Sequence, residues 1–524
     1  MSKTTKLAVM VGAATIAMMS NAMAQASNAE LEARVQALEE ARSGDRTRLS
    51  TLEQQVAYAP ITFDNGRLVV ATGDGRFTIG FRLRFQTDFA GFSQDDTHPT
   101  GFAGPTDLSS GVVMRRAYFG VEGKVYNDFA YELRLNAGGS DGGNTGSGVT
   151  AGEGDPLLNK AVVTYTGIPN FHFNVGILEP SFMMEGTTSS ANLIWLERPE
   201  IENIAADSFG AGDSRRGIEM GWNRVDALWP GDNLAFDVAY TGNKTGSAAN
   251  HGSLSTTPGN GDENSQILGR FVDRLWSDGI SNIQLGASLA QVLYSGSNGN
   301  PNGGSQTLRF RERPEIRVDG TRLIDTGSIN AKTGSMWAVD FEGNLQNLYF
   351  EAEYAQFTAD RQCGSLTTTN NPLCTAASAV IDHPSFRGWV LGASWIITGE
   401  TKTYTPNALA ETQAGFGAPV PSRPFSLAGD SWGSWELVAR YSDTNLNWHQ
   451  SQLAVTNASG TSQLAGILGG EERVLALGVN WYLNRNVRLM LDDNIVSVKK
   501  GIASNLNRDS QDFNVLGLRL QFAN

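Results

Sequence analysis

Along most of this chain apolar and polar residues alternate one for one. Phe77, Ile79, Phe81, Leu83, Phe85 and Phe89 interleave with Thr78, Gly80, Arg82, Arg84, Gln86 and Asp88. The same period returns in Phe129/Tyr131/Leu133/Leu135, Trp435/Leu437/Ala439/Tyr441, Leu475/Leu477/Val479/Trp481/Leu483 and Leu516/Leu518/Leu520/Phe522. A period of two belongs to β-strands, whose successive side chains point to opposite faces. A soluble antiparallel sheet also alternates, but here continuous apolar runs are too few for a matching buried core, and the polar faces carry Arg and Glu. The pattern predicts an all-β transmembrane barrel of about sixteen antiparallel strands, with apolar side chains turned out to lipid and polar ones toward a wet lumen.

Turn signals divide the strands in an ordered way. Gly167-Ile168-Pro169-Asn170 and Asn484-Arg485-Asn486 join alternating runs tightly, using residues suited to reversals. The stretches 91–110, 137–156, 242–264 and 362–384 are long and rich in Gly, Ser, Thr, Asn and Asp. Short turns alternating with long loops match the periplasmic and extracellular ends of such a barrel. The last strand reaches Phe522, with Ala523 and Asn524 after it, close to the terminal aromatic typical of these barrels. Trp389, Trp395, Trp435 and Trp481 would form aromatic girdles at the lipid interfaces, or serve ordinary sheet packing.

The first residues follow other rules. Lys3 and Lys6 precede an apolar run from Leu7 to Met19, and Ala22-Met23-Ala24 supplies a small-residue cleavage pattern, so residues 1–24 read as a secretory signal peptide. An uncleaved anchor is the alternative, although the run is short. Residues 25–58 predict a helix with Leu31, Val35, Leu38, Leu49, Leu52 and Val56 on heptad spacing and Arg42 and Asp45 at the intervening core positions. That segment is either a self-associating coiled coil, implying an oligomer, or an amphipathic helix lying on the barrel. Residues 59–76 read as a connector and 77–524 as the barrel.

Composition narrows the class. A hydrophobic share of 40% over 524 residues, with mean hydropathy of -0.24, argues against spanning helices, which need about twenty consecutive apolar residues. A net charge of -14 argues against nucleic acid as a partner. It does not fix the charge of a lumen, because much of the acidity falls in loop-like stretches. Cys363 and Cys374 bracket a short polar stretch and predict a loop disulfide in an exported protein. Metal binding is the weaker alternative, since His383 stands nearby alone. No cofactor or metal is expected.

The chemistry-bearing block is Arg115-Arg116-Ala117-Tyr118-Phe119-Gly120-Val121-Glu122-Gly123. Its phase sends Ala117, Phe119 and Val121 outward and Arg116, Tyr118, Glu122 and Lys124 inward. Arg115 has the lipid phase unless a bulge re-aims it. With Glu179-Pro180, Thr188-Ser189-Ser190, Leu196-Glu197-Arg198, Arg309-Phe310-Arg311-Glu312-Arg313-Pro314-Glu315, Asp325-Thr326-Gly327, Thr398-Gly399-Glu400 and Asn480-Trp481-Tyr482-Leu483-Asn484, the chain resembles the phosphate-selective porin O and P family over nearly the whole barrel. The resemblance implies a trimeric outer-membrane porin of sixteen strands, a constriction loop folded inward near residues 178–214, and arginines lining a path for small anions such as phosphate. By that resemblance Arg115, Arg116 and Tyr118 sit at the constriction and Arg198 near the end of the folded loop. Arg216, in Ser214-Arg215-Arg216-Gly217, matches an arginine-glycine strand start, and Arg82 and Arg84 are first-strand partners.

Arginine suits anion passage because its charge is permanent and its fork offers paired donors to oxyanions. The bland alternative is that these arginines pair with Glu122, Glu132, Glu351, Glu353 or Glu436 and merely neutralise the wall. One departure stands out: Leu178 precedes Glu179-Pro180 where many family members carry Lys, and Met183, Met184, Leu193, Ile194 and Trp195 make the loop greasy. A less selective pore for small organic acids or mixed solutes is therefore the second reading. An enzyme is not expected. Gly138-Gly139-Ser140-Asp141-Gly142 and Gly429-Asp430-Ser431-Trp432-Gly433 mimic a nucleophile elbow, but no helical pattern follows either. A structural envelope tether leaves the arginine blocks unexplained.

Overall fold

A computed structural model describes residues 34–36, 38, 42, 61–64, 66–94, 107–139, 158–212, 214–245, 263–296, 306–362, 380–406, 414–450, 455–456, 462–463, 466–501 and 508–524. The chain divides into two units, residues 1–62 with 70–77, and residues 63–69 with 78–524. In the first, residues 34–36, 38 and 42 are helical. The predicted signal peptide, the rest of the predicted coiled coil, and Cys363 with Cys374 lie outside the described residues.

The second unit is a closed barrel of sixteen antiparallel strands. In chain order they are β1 (Thr78–Gln94), β2 (Gly111–Val125), β3 (Phe129–Asn136), β4 (Leu158–Tyr165), β5 (Phe171–Leu178), β6 (Arg215–Val225), β7 (Asn233–Lys244), β8 (Ser265–Ser277), β9 (Asn282–Tyr294), β10 (Ile329–Leu345), β11 (Leu348–Gln362), β12 (Ser385–Ile396), β13 (Ser434–Trp448), β14 (Ile467–Tyr482), β15 (Val487–Gly501) and β16 (Arg508–Ala523). Each pairs with the next, and β16 returns to β1 with Phe522 opposite Phe85, so the sheet has no open edge. In hydrocarbon this closure satisfies every strand's backbone groups. The alternation does what it predicts. Phe81, Phe89, Leu285, Leu391, Leu477, Leu516 and Leu520 are exposed on the outside, while Gln86, Asp88, Arg134, Arg270, Glu351, Arg440 and Arg519 are buried inside. No described helix is long and apolar enough to cross a membrane.

Two findings modify the expected wet tube. The first is a dry core inside the lumen. Residues 179–212, which hold helices α1 (Met184–Thr187) and α2 (Glu200–Ser208), fold inward, and so do residues 306–328 between β9 and β10. Phe182, Ile201, Ile204 and Phe209 from the first meet Phe310, Ile316 and Leu323 from the second, and both pack on Phe357, Phe386, Val474, Val496 and Val515 of the wall. Phe310 stands at the centre of this cluster, with ring centroids 5.6 Å from Phe209, 5.1 Å from Phe357 and 5.5 Å from Phe386. The wall is thus apolar on its inner face wherever an apolar loop must be buried against it. This fill occupies mainly the side of the lumen bounded by β8 to β16.

The second is a long connection on the short-turn side. Most turns there are brief, such as residues 346–347 and 483–486, and Asn170 adopts the left-handed conformation (φ 67°) that the turn before β5 requires. The β12–β13 connection instead runs from residue 397 to 433. Part of it enters the lumen, where a two-residue ladder pairs Tyr404 with Phe416 and Thr405 with Gly415. Phe416 packs with Ile194, Trp195, Tyr349 and Val438.

Candidate functional site

The inward residues 179–212 and the strands around them leave open space on the β1–β7 side. Three cavities lie there. The first is lined by Arg115, Arg116, Glu197, Arg198, Glu202, Asp207, Lys244 and Arg317. The second is lined by Arg84, Lys160, Leu178, Glu179, Ser189, Ser190, Arg198 and Glu219. The two share Gly186, Arg198 and Gly212, so Arg198 stands at their junction. Val162 and Thr164 are common to the second cavity and the third, which is lined by Arg67, Glu122, Lys124, Tyr131 and Glu132. The three cavities form an off-centre row, a candidate path, beside the apolar fill.

Local geometry explains how the arginines reach this path. Gln86 opposes Arg116 while Thr87 opposes Met114, so Arg115 is the extra residue of a bulge in β2. The bulge turns Arg115 from the lipid phase to the interior, where it is buried and donates to Glu197 from Nε at 2.6 Å and from a terminal nitrogen at 3.1 Å. Arg116 donates to Gln86 at 2.8 Å. Arg84 donates to the hydroxyls of Ser190 (2.7 Å) and Ser189 (3.0 Å), holding the loop against β1. The Tyr118 ring lies between the guanidiniums of Arg84 and Arg134, 5.2 and 4.7 Å from its centroid. Arg198 is fixed by the carbonyls of Glu185 and Thr188, both at 2.7 Å.

The structure therefore brings Arg84, Arg115, Arg116, Tyr118 and Arg198 into one region. Arg82 lies apart from it, ion-paired with Glu122 (3.1 Å) and Glu132 (3.6 Å). Arg216 does not join them. Arg215 and Glu219 share the inward phase of β6, so Arg216 points the other way and reaches Glu263 at the rim, 2.7 Å away. Arg215 is instead buried and donates to backbone carbonyls of Ala206 and Ala211. Lys160, Lys244 and Arg317 line the path without having been singled out from sequence. Lys160 does sit at an inward position of β4, the one signal that could have found it. Arg317 lies in a segment without periodicity.

Carboxylates temper the positive charge. Glu197 is ringed by Arg115, Arg116, Arg317 and Arg519; burial alone would raise it, yet these four guanidiniums hold it well below the usual carboxylate range. Glu179 is bonded to Arg134 and lies 3.5 Å from Lys160. Away from the path, Arg440 joins both inward segments, donating to Glu185 (3.1 Å), Glu315 (2.5 Å) and the Glu197 carbonyl (3.0 Å). Arg270 makes a two-pronged pair with Asp340 at 2.6 and 2.9 Å. Among the described residues no cluster of His, Cys, Asp and Glu has metal-holding geometry.

Residues 79–523 match the sequence model of the family described as phosphate-selective porin O and P. A 139-residue stretch is 30% identical to Porin O of Pseudomonas aeruginosa, covering 26% of this chain and 27% of that protein. The chain thus spans about a quarter of the length of that curated relative. Among solved structures, the barrel is similar to the outer membrane channel DcaP of Acinetobacter baumannii, with 12% identity, a TM-score of 0.42, and 86% of this chain and 97% of that chain covered. It is also similar to an anion-selective porin from Comamonas acidovorans, with 13% identity, a TM-score of 0.40, and 85% and 100% covered.

Proposed function

Because the chain belongs to the phosphate-selective porin O and P family and is a channel-forming porin of the bacterial outer membrane, we propose that its off-centre path carries small anions such as phosphate by passive diffusion. The observation that carries this reading is the lining of the two cavities that meet at Arg198. Arg84, Arg115, Arg116, Lys160, Arg198, Lys244 and Arg317 face Glu179, Glu197, Glu202, Asp207 and Glu219, an excess of cations despite the acidic chain. The excess is small, so the expected anion preference is modest. Hydroxyls of Thr187, Thr188, Ser189 and Ser190 add neutral donors along the way. Several weak sites in series let an ion leave as easily as it arrives.

Leu178, Val162 and Pro180 line the same cavity as Arg84 and Lys160, which favours a second reading. Small organic carboxylates could place their charge on the cations and their apolar part on these side chains. We further propose a homotrimer, on the heptad spacing near the N-terminus and the family resemblance. Planar-bilayer recording tests these points together. Reversal potentials in a salt gradient should show anion preference, and currents should step in triplets. Phosphate and a small monocarboxylate, added in turn, should each reduce the chloride current if the path binds both. Cation preference would overturn the proposal.

A further inference from the structure

The β12–β13 connection has a second part that does not enter the lumen. Residues 423–433 form a small hairpin closed by a bridge between Ser426 and Ser431, with the Gly429 amide donating to the Ser426 carbonyl at 3.2 Å. The Ser431 hydroxyl donates to the Arg423 carbonyl at 2.7 Å, and the Phe425 amide donates to the Leu483 carbonyl at 2.6 Å. The hairpin is therefore internally bonded and tied to the short-turn end of β14.

Its position relative to the wall is set by aromatic contacts. Phe425 packs edge-on against Trp481, with centroids 5.1 Å apart, and Trp481 stacks on Trp435 at 5.0 Å. The Trp481 indole nitrogen donates to the Trp432 carbonyl at 2.7 Å. Trp481 shares its phase with Leu475 and Leu477, and Trp435 with Leu437, all of them on the outer face of the barrel. The hairpin thus lies over the outside of the barrel, continuous with its lipid-facing girdle. There it holds out Leu427, 92% exposed, and Trp432, 68% exposed. Arg423 and Asp430 supply charged flanks to this apolar tip. A turn whose only task was to join two strands would need far fewer residues, as 346–347 does.

We propose that residues 423–433 are a membrane-surface anchor that seats Leu427 and Trp432 in the periplasmic-side lipid leaflet. The occupant follows from continuity with the girdle. An indole prefers the interfacial depth, and an adjoining leucine gains by leaving water for the acyl boundary. A second copy of the chain is the competing occupant, and the experiment separates the two.

The test uses the full-length mature protein with Cys363→Ser and Cys374→Ser, carrying either Leu427→Cys or Trp432→Cys and an environment-sensitive fluorophore on the new thiol. Asn127→Cys, in the exposed β2–β3 turn, is the water-facing control. Each is reconstituted in phosphatidylethanolamine/phosphatidylglycerol liposomes, and heat-modifiable gel migration verifies the folded barrel. Nitroxide-labelled lipid should quench the labels at 427 and 432 several-fold more than the label at 127, and iodide should do the reverse. Equal iodide quenching at all three sites would overturn the anchor. So would efficient oxidative cross-linking of two chains through the unlabelled Leu427→Cys thiol, which would assign the tip to a contact between copies.

Discussion

Arg115 and Glu197 form a two-pronged ion pair, 2.6 and 3.1 Å, between a bulge in the barrel wall and the loop that fills the lumen. Arg519, itself held by both oxygens of Asp88 at 2.6 and 2.7 Å, approaches the same carboxylate at 2.9 Å. One acidic residue of the loop therefore fastens it to β2 and β16 and offsets charge that would otherwise face the path.

Replacing Glu197 with Gln should act on stability and selectivity at once. Removing one partner of a buried ion pair typically costs about 3–5 kcal/mol, because the remaining charges stay buried without compensation. The variant should lose its heat-modifiable folded band at a lower temperature than the parent. Its anion-to-cation permeability ratio should rise, since the cations lining the path outnumber the carboxylates further. An unchanged reversal potential would show that Glu197 does not screen the conducting path.

The pH response of this contact has a defined sign. The folded-state pKa of Glu197 is depressed below its ordinary value of 4.5, so its stabilisation is present above that pH and is lost only as pH falls through the lower folded value. Channel stability attributable to Glu197 should therefore be flat from neutral pH down to about 4.5. In the Glu197→Gln variant the acid-side loss should shrink. Thermal denaturation of the parent and variant in detergent across this range measures the difference.

The placement of the arginines predicts which of them matter to conduction. Arg84→Ala and Arg198→Ala should each lower the anion-to-cation permeability ratio, on the order of two-fold, because both line the path. Arg216→Ala should leave it unchanged, since Arg216 reaches only the rim. Arg440→Ala should weaken the fold while leaving selectivity close to that of the parent, because its partners join the inward segments to each other and to the wall. Single-channel recording with ion gradients distinguishes the three classes.

The barrel was legible because lipid and lumen impose a strict two-residue period, and strand limits such as Gln94, Asn136, Lys244 and Gln362 fall where Gly, Asn and Ser crowd the sequence. The phase also placed Arg116 and Tyr118 inside, and Arg115 inside on condition of a bulge. Two things were not legible. Glu197 shows no period, so its ring of arginines from β2, β16 and the β9–β10 segment exists only once distant parts of the chain meet. The dry side of the lumen was hidden for a related reason. Ile495 and Val496 are neighbours on opposite faces, one meeting lipid and the other the inward loops, and sequence alone does not distinguish those two apolar surroundings. Arg215 and Arg216 differ by one residue, and only the register of β6 decides between them.

Glu200, one helical turn along the loop from Glu197, predicts the opposite pH sign. It lies at the start of α2, where it accepts a hydrogen bond from the Thr444 hydroxyl at 3.4 Å. Burial, reinforced by nearby Glu315, pushes it up to about 8. A carboxyl raised in the folded state contributes stability that is complete below its ordinary value of 4.5 and is lost as pH rises toward about 8. Attachment of α2 to the wall should therefore loosen with rising pH in this window, visible as increased closing events in single-channel traces. Glu200→Gln, which stays neutral, should flatten that dependence. Closing events that respond to pH identically in the variant would assign them to other groups.

The β12–β13 connection supplies the last expectation. Lys402 is buried beside Glu436, 3.2 Å away, and its ammonium lies 4.8 Å from the centroid of Tyr349, which in turn packs on Phe416 at 5.4 Å. Tyr404 accepts a hydrogen bond from Asn233 at 3.1 Å and stacks beneath Arg274, so the segment is held from both sides of the lumen. Its position away from Arg84, Arg198 and Lys160 means that it narrows the barrel without supplying the charges that sort ions. Replacing residues 403–418 by a short Gly-Ser linker should raise single-channel conductance, roughly doubling it if the vacated space becomes a second aqueous route, since larger lumens pass more water and ions. The permeability ratio should drift toward that of bulk solution, because ions using the new route bypass the arginines. Unchanged conductance with an intact barrel would mean that the apolar fill above this segment already closes that side of the lumen.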